Sequence, residues 1–353
     1  MNAPLRLLPA LTLLLLGCAA LRAAEAASAA RKPGEYQHGP DSFPQPGVPK
    51  GRLIGPLEFR SKIIANTVRQ YWVYVPAQYT GEKPACLLVF QDGQRATNPA
   101  PNASLRVPQV MENLIHKKDI PVTIGLFITP GQRGDTYPAT IGTGNANNRA
   151  QEYDAVNDTY ARFLIEEMIP ELRKTYSITD DPNGRVIGGT SSGAICAFTV
   201  AWHRPDQFRK VISAIGSYVS IGYRPARDGQ PAVSGGEIYP TWIRREPPKP
   251  IRIFLQDGSA DLSNMFGNWF LANQQMLSAM EYANSVAAGR GGRGGRQGGA
   301  PGAPSAPATP APAAPTARYD VKHEWGDGAH SDLHGGVLLP DILRWMFRDW
   351  PKE

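Results

Sequence analysis

Arg185-Val186-Ile187-Gly188-Gly189-Thr190-Ser191-Ser192-Gly193-Ala194-Ile195-Cys196-Ala197 reads as a short apolar strand that turns abruptly into an apolar helix. At the turn stands Gly189-Thr190-Ser191-Ser192-Gly193, a G-x-S-x-G pattern. A strand that reverses so sharply forces its central Ser into a strained backbone conformation, and only small neighbours fit beside it. The hydroxyl is then held above the sheet. The first N–H groups of the helix lack intrahelical acceptors and face the place where negative charge would develop on a substrate oxygen. An ordinary Gly-rich strand–helix turn has the same five-residue look, so the rest of the chain has to supply partners for the hydroxyl.

Outward from this turn, strand and helix patterns alternate. Ile63 to Val75, Ala85 to Phe90, Val122 to Ile128, Val186 to Gly189, Val211 to Ile215, Ile251 to Leu255 and Tyr319 to Trp325 read as strands. Helical stretches fall over Val107 to Ile115, Ser192 to His203 (stopped by Pro205), Asn268 to Tyr282 and Leu338 to Arg348. Tyr160, Leu164, Met168 and Leu172 recur every four residues and predict a further helix, bent late by Pro170. The alternation predicts an α/β domain with a mostly parallel central sheet and helices on both faces. No structural repeat is apparent.

A serine hydroxyl is a weak nucleophile near neutrality and needs a base to take its proton. In folds built around this turn the partners follow in the order Ser, Asp or Glu, His. Two later strand ends meet that order: Gln256-Asp257-Gly258-Ser259-Ala260-Asp261, and Gly326-Asp327-Gly328-Ala329-His330. Ser191 is therefore expected as nucleophile, His330 as general base and acid, and Asp261 as the group that orients the imidazole. Asp257 is the alternative acid and His334 the alternative base. An oxyanion hole needs two backbone donors, for which Ser192 N–H and Gln94 N–H, in Gln91-Asp92-Gly93-Gln94, are the candidates. Asp92 itself is expected to bond within its loop. Arg149, Glu152 and Tyr153 are candidates for lining the cleft, with a structural Arg–carboxylate pair as the alternative. Tyr218 and Trp269 are candidate aromatic walls, with simple packing as the alternative. The spacing of His330, Asp332 and His334 lacks a strong metal-ligand pattern, so no metal is expected.

Six blocks carry a resemblance to a known family: Val89 to Gln94, Arg149 to Asp154, Gly189 to Gly193, His203 to Phe208, Gln256 to Asp261, and Gly326 to His330. In this order they resemble the "putative esterase" family of α/β-hydrolases, which includes enterochelin esterase-like proteins, feruloyl and acetylxylan esterases and S-formylglutathione hydrolases. The resemblance runs from about Tyr71 to Trp350. It implies an α/β-hydrolase fold and cofactor-free ester hydrolysis through an acyl-enzyme, with Ser191, Asp261 and His330 in the family's triad roles. Ala194 follows Gly193 where the family often has a second Gly.

The ends and one interior stretch are of another kind. Residues 1–26 combine Arg6, an apolar run from Leu7 to Leu16 and small residues around Ala24 and Ala26, the pattern of a secretory signal peptide. Leu15-Leu16-Gly17-Cys18 also permits a lipoprotein signal ending before Cys18, which would then carry a lipid anchor. Residues 27–50 read as a tether and 51–353 as the hydrolase domain. Within it, 14 of the 28 residues at 289–316 are Gly or Pro and seven are Ala, a composition expected to give a disordered insertion. The chain has 353 residues and a formal charge of +6. Four of those charges belong to the leader and to Arg290, Arg293 and Arg296, so the domain offers no nucleic-acid footprint. No apolar run reaches the ~20 residues of a transmembrane span. Cys86 and Cys196, both in apolar surroundings, are expected as buried thiols. The reading is an exported serine esterase of small-molecule or polysaccharide-linked esters, periplasmic or secreted, with sugar, siderophore and plant-polymer esters as candidate substrates. Alternatives on the same scaffold are a non-catalytic carbohydrate-binding envelope protein, an acyltransferase and a lactonase.

Overall fold

The computed structural model describes residues 32–138, 146–289 and 317–351. The expected signal peptide, Cys18 and nearly all of the 289–316 stretch lie outside the described residues.

Eight strands run edge to edge: β1 (Arg52–Ser61), β2 (Thr67–Val75), β3 (Cys86–Gln91), β4 (Thr123–Ile128), β5 (Arg185–Thr190), β6 (Lys210–Ala214), β7 (Arg252–Gly258) and β8 (Asp320–Gly326). Their spatial order is β1-β2-β4-β3-β5-β6-β7-β8, and a short strand, Gln132–Arg133, also pairs with β2. β1 pairs with β2, and β2 with β4, antiparallel, while every pair from β4 to β8 is parallel. Central strands β3 to β6 are buried along their whole length, as a parallel sheet covered on both faces requires.

The helices are α1 (Gly93–Ala96), α2 (Val107–His116), α3 (Arg149–Tyr153), α4 (159–173), α5 (Ser192–His203), α6 (Tyr239–Arg245), α7 (Trp269–Ala287) and α8 (Asp332–Met346). Alternate strand residues divide the core. Leu87, Val89, Ile187, Ile253 and Leu255 pack with α4 to α7 on one face. Cys86, Leu88, Phe90, Val186 and Phe254 pack with α2 and α8 on the other. Cys86 and Cys196 are both buried, as expected. The α/β architecture is the one the alternation predicts.

Several boundaries differ from expectation. The strand expected from Ile63 begins at Thr67, because Ile63 to Asn66 form the turn after β1, an edge strand the sequence left unassigned. In α4 the turn over Leu164–Met168, just before Pro170, widens to a π-helical turn. A π turn is one way a helix accommodates local disruption of its i→i−4 ladder. The last helix starts at Asp332 rather than Leu338. Gly335 and Gly336, before the expected start, sit inside the helix, where added Cβ atoms would meet Ala214 Cβ at 2.8 Å and Ser104 O at 1.9 Å. Close packing, not a turn, requires them.

The described part of the expected tether, residues 32–50, is not a free strap. Asn113 Nδ2 donates to the carbonyls of Asp41 and Phe43, both at 2.8 Å, and Asp41 bridges Lys117 and Arg344. Tyr36 stacks on the His334 ring at 3.9 Å. Its hydroxyl donates to Asp327 Oδ1 at 2.8 Å and accepts from Asp327 N–H at 3.0 Å. This stretch lies against the loop that carries His330.

Candidate active site

In a parallel sheet all strands end on the same edge, so loops that are distant in sequence converge there. β3, β5, β6, β7 and β8 are neighbours in this sheet, and their following loops carry Gln94, Ser191, Ser217, Asp261 and His330 respectively.

Ser191 has φ 57° and ψ −124°, a conformation that non-glycine residues rarely hold. It occupies the N-cap position of α5, where a Ser side chain usually bonds the helix N–H groups, but it makes no such bond. The sharp turn depends on Gly189, whose added Cβ would lie 2.5 Å from Gly193 C. Freed from capping, Ser191 Oγ lies 2.9 Å from His330 Nε2 and 3.2 Å from Ser217 Oγ. His330 Nδ1 lies 2.6 Å from Asp261 Oδ1. Ser191, His330 and Asp261, expected from their order alone, are thus brought into one hydrogen-bonded line.

The acid and histidine loops are joined backbone to backbone. Ser259 N–H donates to Gly326 O at 2.9 Å and Ala260 N–H to Gly328 O at 3.2 Å. Their approach is so close that a Cβ on Gly258 would fall 2.1 Å from Gly328 O. Asp257, the alternative acid, does not reach the imidazole. It is fully buried, accepting from Gly258 N–H and Asn273 Nδ2 at 2.7 Å each. Burial, reinforced by a hydrogen bond to Asp261 and that residue's charge, pushes its carboxyl up to about 9. Burial also works on Asp261, but hydrogen bonds from His330, Asp257 and Leu262 N–H outweigh it and hold that carboxyl below its usual range. Counted as two carboxylates, the pair leaves Asp261 Oδ2 without a donor; a proton on Asp257 supplies one. His334, the alternative base, is buried, with its Nδ1 3.0 Å from Gln256 Nε2.

Gln94 and Ser192 lie in the first turns of α1 and α5, where backbone N–H groups have no intrahelical acceptor. Asp92, immediately before α1, is also left-handed, at φ 53°. Arg149 grips it with two bonds, Nε to Oδ1 at 2.9 Å and Nη2 to Oδ2 at 2.7 Å. Burial disfavours the Arg149 charge, but the Asp92 carboxylate more than offsets this and raises its pKa. Arg149 is therefore half of a structural pair, and the Asp92 carboxylate is bonded from α3 rather than within its own loop. Asp154, at the end of α3, is pushed up to about 6 by burial, against the pull of a hydrogen bond with the Ser192 side chain.

For three candidates for the cleft the surroundings favour the packing or structural-pair alternative. Glu152 is buried, and its carboxylate takes four bonds: two from Arg69 at 2.7 and 3.2 Å, one from Gly131 N–H at 3.1 Å and one from Asn148 Nδ2 at 2.8 Å. No acceptor site is left for a substrate. Tyr218 is 1% exposed, with its hydroxyl on Ser213 Oγ at 2.8 Å and its ring edge-on to Phe198, so it packs in the core. Trp269 is 2% exposed and stands behind the imidazole, 5.9 Å between ring centroids, with its N–H on Ser217 Oγ at 3.0 Å. Ser217 and Asn273 went unnoticed in the sequence; the small pair Gly216-Ser217 at a strand end was the available signal for the first.

Sheet order, helix placement and the turn at Ser191 define an α/β-hydrolase. The chain belongs to the family described as "Putative esterase", whose model matches residues 61–282. That match takes in Ser191 and Asp261 and ends before His330. The iron(III) enterobactin esterase of Escherichia coli K12 is 26% identical over 194 residues, 55% of this chain and 41% of its own length. Matches to the curated relatives span between 39% and 57% of their lengths. Among solved structures, the ferric enterobactin esterase of Salmonella typhimurium superposes with a TM-score of 0.58 at 20% identity, covering 89% of this chain and 62% of that one. A CE1 ferulic acid esterase from Anaeromyces mucronatus gives 0.53 at 17% identity, covering 88% and 97%. At such identities the superpositions establish the fold.

Proposed function

We propose that the chain is an exported serine carboxylesterase working through an acyl-enzyme. The observation that carries this is the line from Ser191 Oγ to His330 Nε2, 2.9 Å, and from His330 Nδ1 to Asp261, 2.6 Å, at a serine held out of its usual capping role. His330 takes the Ser191 proton as Oγ bonds to the ester carbonyl carbon, then gives it to the departing alcohol. Water, activated by the same imidazole, releases the acid. Asp261 keeps the ring proton on Nδ1 and stabilises the imidazolium. Ser192 and Gln94 N–H groups receive the oxyanion; losing one such donor commonly costs ~10²–10³ in rate.

The names of its relatives, enterobactin and ferulic acid esterases, favour aryl-bearing esters of siderophores, sugars or plant polymers. Leu262, Met265 and Phe266, exposed on the loop after Asp261, suit an apolar substituent beside the scissile bond. The 1–26 pattern supports export, either as a cleaved secretory protein or as a lipoprotein anchored through Cys18. Among the described residues no helix is long and apolar enough to cross a membrane.

The test is hydrolysis of short p-nitrophenyl esters by purified protein. Ser191→Ala is expected to abolish it while leaving the melting curve unchanged, and equal activity in that variant overturns the proposal. A panel of acetyl, feruloyl and siderophore esters then separates the substrate classes. Mass spectrometry of the mature N-terminus separates the two export routes.

A further inference from the structure

Ser217 follows β6 and is 1% exposed. Its Oγ lies 3.2 Å from Ser191 Oγ and accepts from Trp269 Nε1–H at 3.0 Å. Proton counting fixes the direction of the remaining bond. An indole nitrogen only donates, so Ser217 is the acceptor on that side. Ser191 has one proton, and attack needs it on the line to His330 Nε2. The ring proton at Nδ1 is committed to Asp261. The proton left for the contact between the two hydroxyls is the one on Ser217.

We propose that Ser217 is a further catalytic hydroxyl, which Trp269 orients so that it donates to Ser191 Oγ and stabilises the charge on that oxygen as it leaves the acyl group. This rests on the reading of Ser191 as nucleophile. In deacylation, water passes a proton to His330 as its oxygen bonds to the acyl carbon. The bond from that carbon to Oγ then breaks, the electron pair stays on Oγ, and His330 returns the proton to it. As an ester oxygen in the acyl-enzyme Oγ is a poor acceptor, and it becomes a strong one as charge gathers. The bond from Ser217 therefore tightens toward the transition state, which is the condition for lowering a barrier. In acylation the same donor slightly weakens Oγ as a nucleophile, so the benefit falls on deacylation.

The experiment compares Ser217→Ala, Ser217→Thr and Trp269→Phe with the unaltered protein on p-nitrophenyl acetate, by steady-state and stopped-flow kinetics. Ser217→Ala should lower kcat roughly tenfold or more, the usual scale for one hydrogen bond to a charged oxygen. KM should fall in step, leaving kcat/KM nearly unchanged, and a burst of p-nitrophenol should mark slow deacylation. Ser217→Thr, which keeps a hydroxyl, should recover most of kcat, and Trp269→Phe should show a smaller loss of the same kind. Unchanged kcat in Ser217→Ala overturns the inference. So does a fall in kcat/KM without slowed deacylation, or a Thr variant as impaired as the Ala one. Ser191→Ala separates the two levels: turnover in that variant removes the nucleophile reading itself, whereas its loss beside a normal Ser217→Ala removes only the role of Ser217.

Discussion

Asp257 and Asp261 perturb one another's carboxyl groups in opposite senses: burial and the neighbouring carboxyl push Asp257 up to about 9, while Asp261, burial notwithstanding, is held below its usual range by the bonds it accepts, first from His330. Near neutrality the pair then holds one proton and one negative charge, with the charge on the residue that faces His330.

This pair predicts a pH signature. Above about 9 Asp257 loses its proton, Asp261 loses a donor, and a second negative charge arrives behind the imidazole. The activity profile should therefore carry a basic limb near 9 that Asp257→Asn removes, because an amide keeps a donor and cannot ionise. Stability should show the same group with a definite sign. A folded-state pKa above the unfolded carboxylate value means the unfolded chain gives up this proton first as pH rises. Its contribution is therefore complete below about 4 and declines until about 9. Melting temperatures of the protein and of Asp257→Asn should diverge over that window in favour of the variant. Parallel curves would contradict the shared proton.

Asp261→Asn should cost on the order of 10³–10⁴ in kcat/KM, since an amide favours the wrong imidazole tautomer. His334→Gln, by contrast, removes a ring stacked on Tyr36 and a bond to Gln256 without touching the line from Ser191 to Asp261. It should lose about 1 kcal/mol of stability and keep kcat within a few-fold. Kinetics on the two purified variants decide between His330 and His334 as base.

Gly258→Ala tests the joint between the acid and histidine loops. The new methyl group would have to displace Gly328 O, which lies 2.1 Å from its ideal position. Overpacking of this kind typically costs roughly 1–3 kcal/mol, and a displacement of His330 by about 1 Å can cost ~10² in rate. Thermal denaturation and kcat/KM should both register the change.

Tyr36→Phe keeps the ring stack on His334 and deletes both hydrogen bonds to Asp327. A loss of about 1–2 kcal/mol and a several-fold lower kcat are expected, read by melting and by ester hydrolysis. An unchanged kcat would show that the His330 loop holds its position without the N-terminal stretch.

What the sequence made legible follows from what is local. The turn at Ser191 announces itself because steric demands within five residues dictate small neighbours, and chain order narrowed its partners to Asp257 or Asp261 and to His330 or His334. Ser217, Asn273 and Tyr36 were invisible because their roles depend on which strand ends become neighbours, a property of sheet order rather than of nearby residues. Glu152, Tyr218 and Trp269 stayed ambiguous between cleft and packing for a related reason. Polar and aromatic residues near a motif look available until burial and partners are known, and here a buried guanidinium, a core hydroxyl and Ser217 take up their bonding capacity. The early start of α8 was hidden because Gly335 and Gly336 lie in its first turns, where glycine serves close packing rather than a turn.

The end of α7 and the start of β8 meet at the far end of the sheet from the triad. α7 ends at Ala287 and β8 begins at Asp320, which pairs with Arg252 at the start of β7, while Asp261 and His330 follow the opposite strand ends. The two points are clamped together by the Asn284 side chain, which accepts from Tyr319 N–H at 2.9 Å and donates to Tyr319 O at 2.8 Å. A handle attached at Ala288 or Ala317 would accordingly leave the catalytic edge pointing away from the attachment.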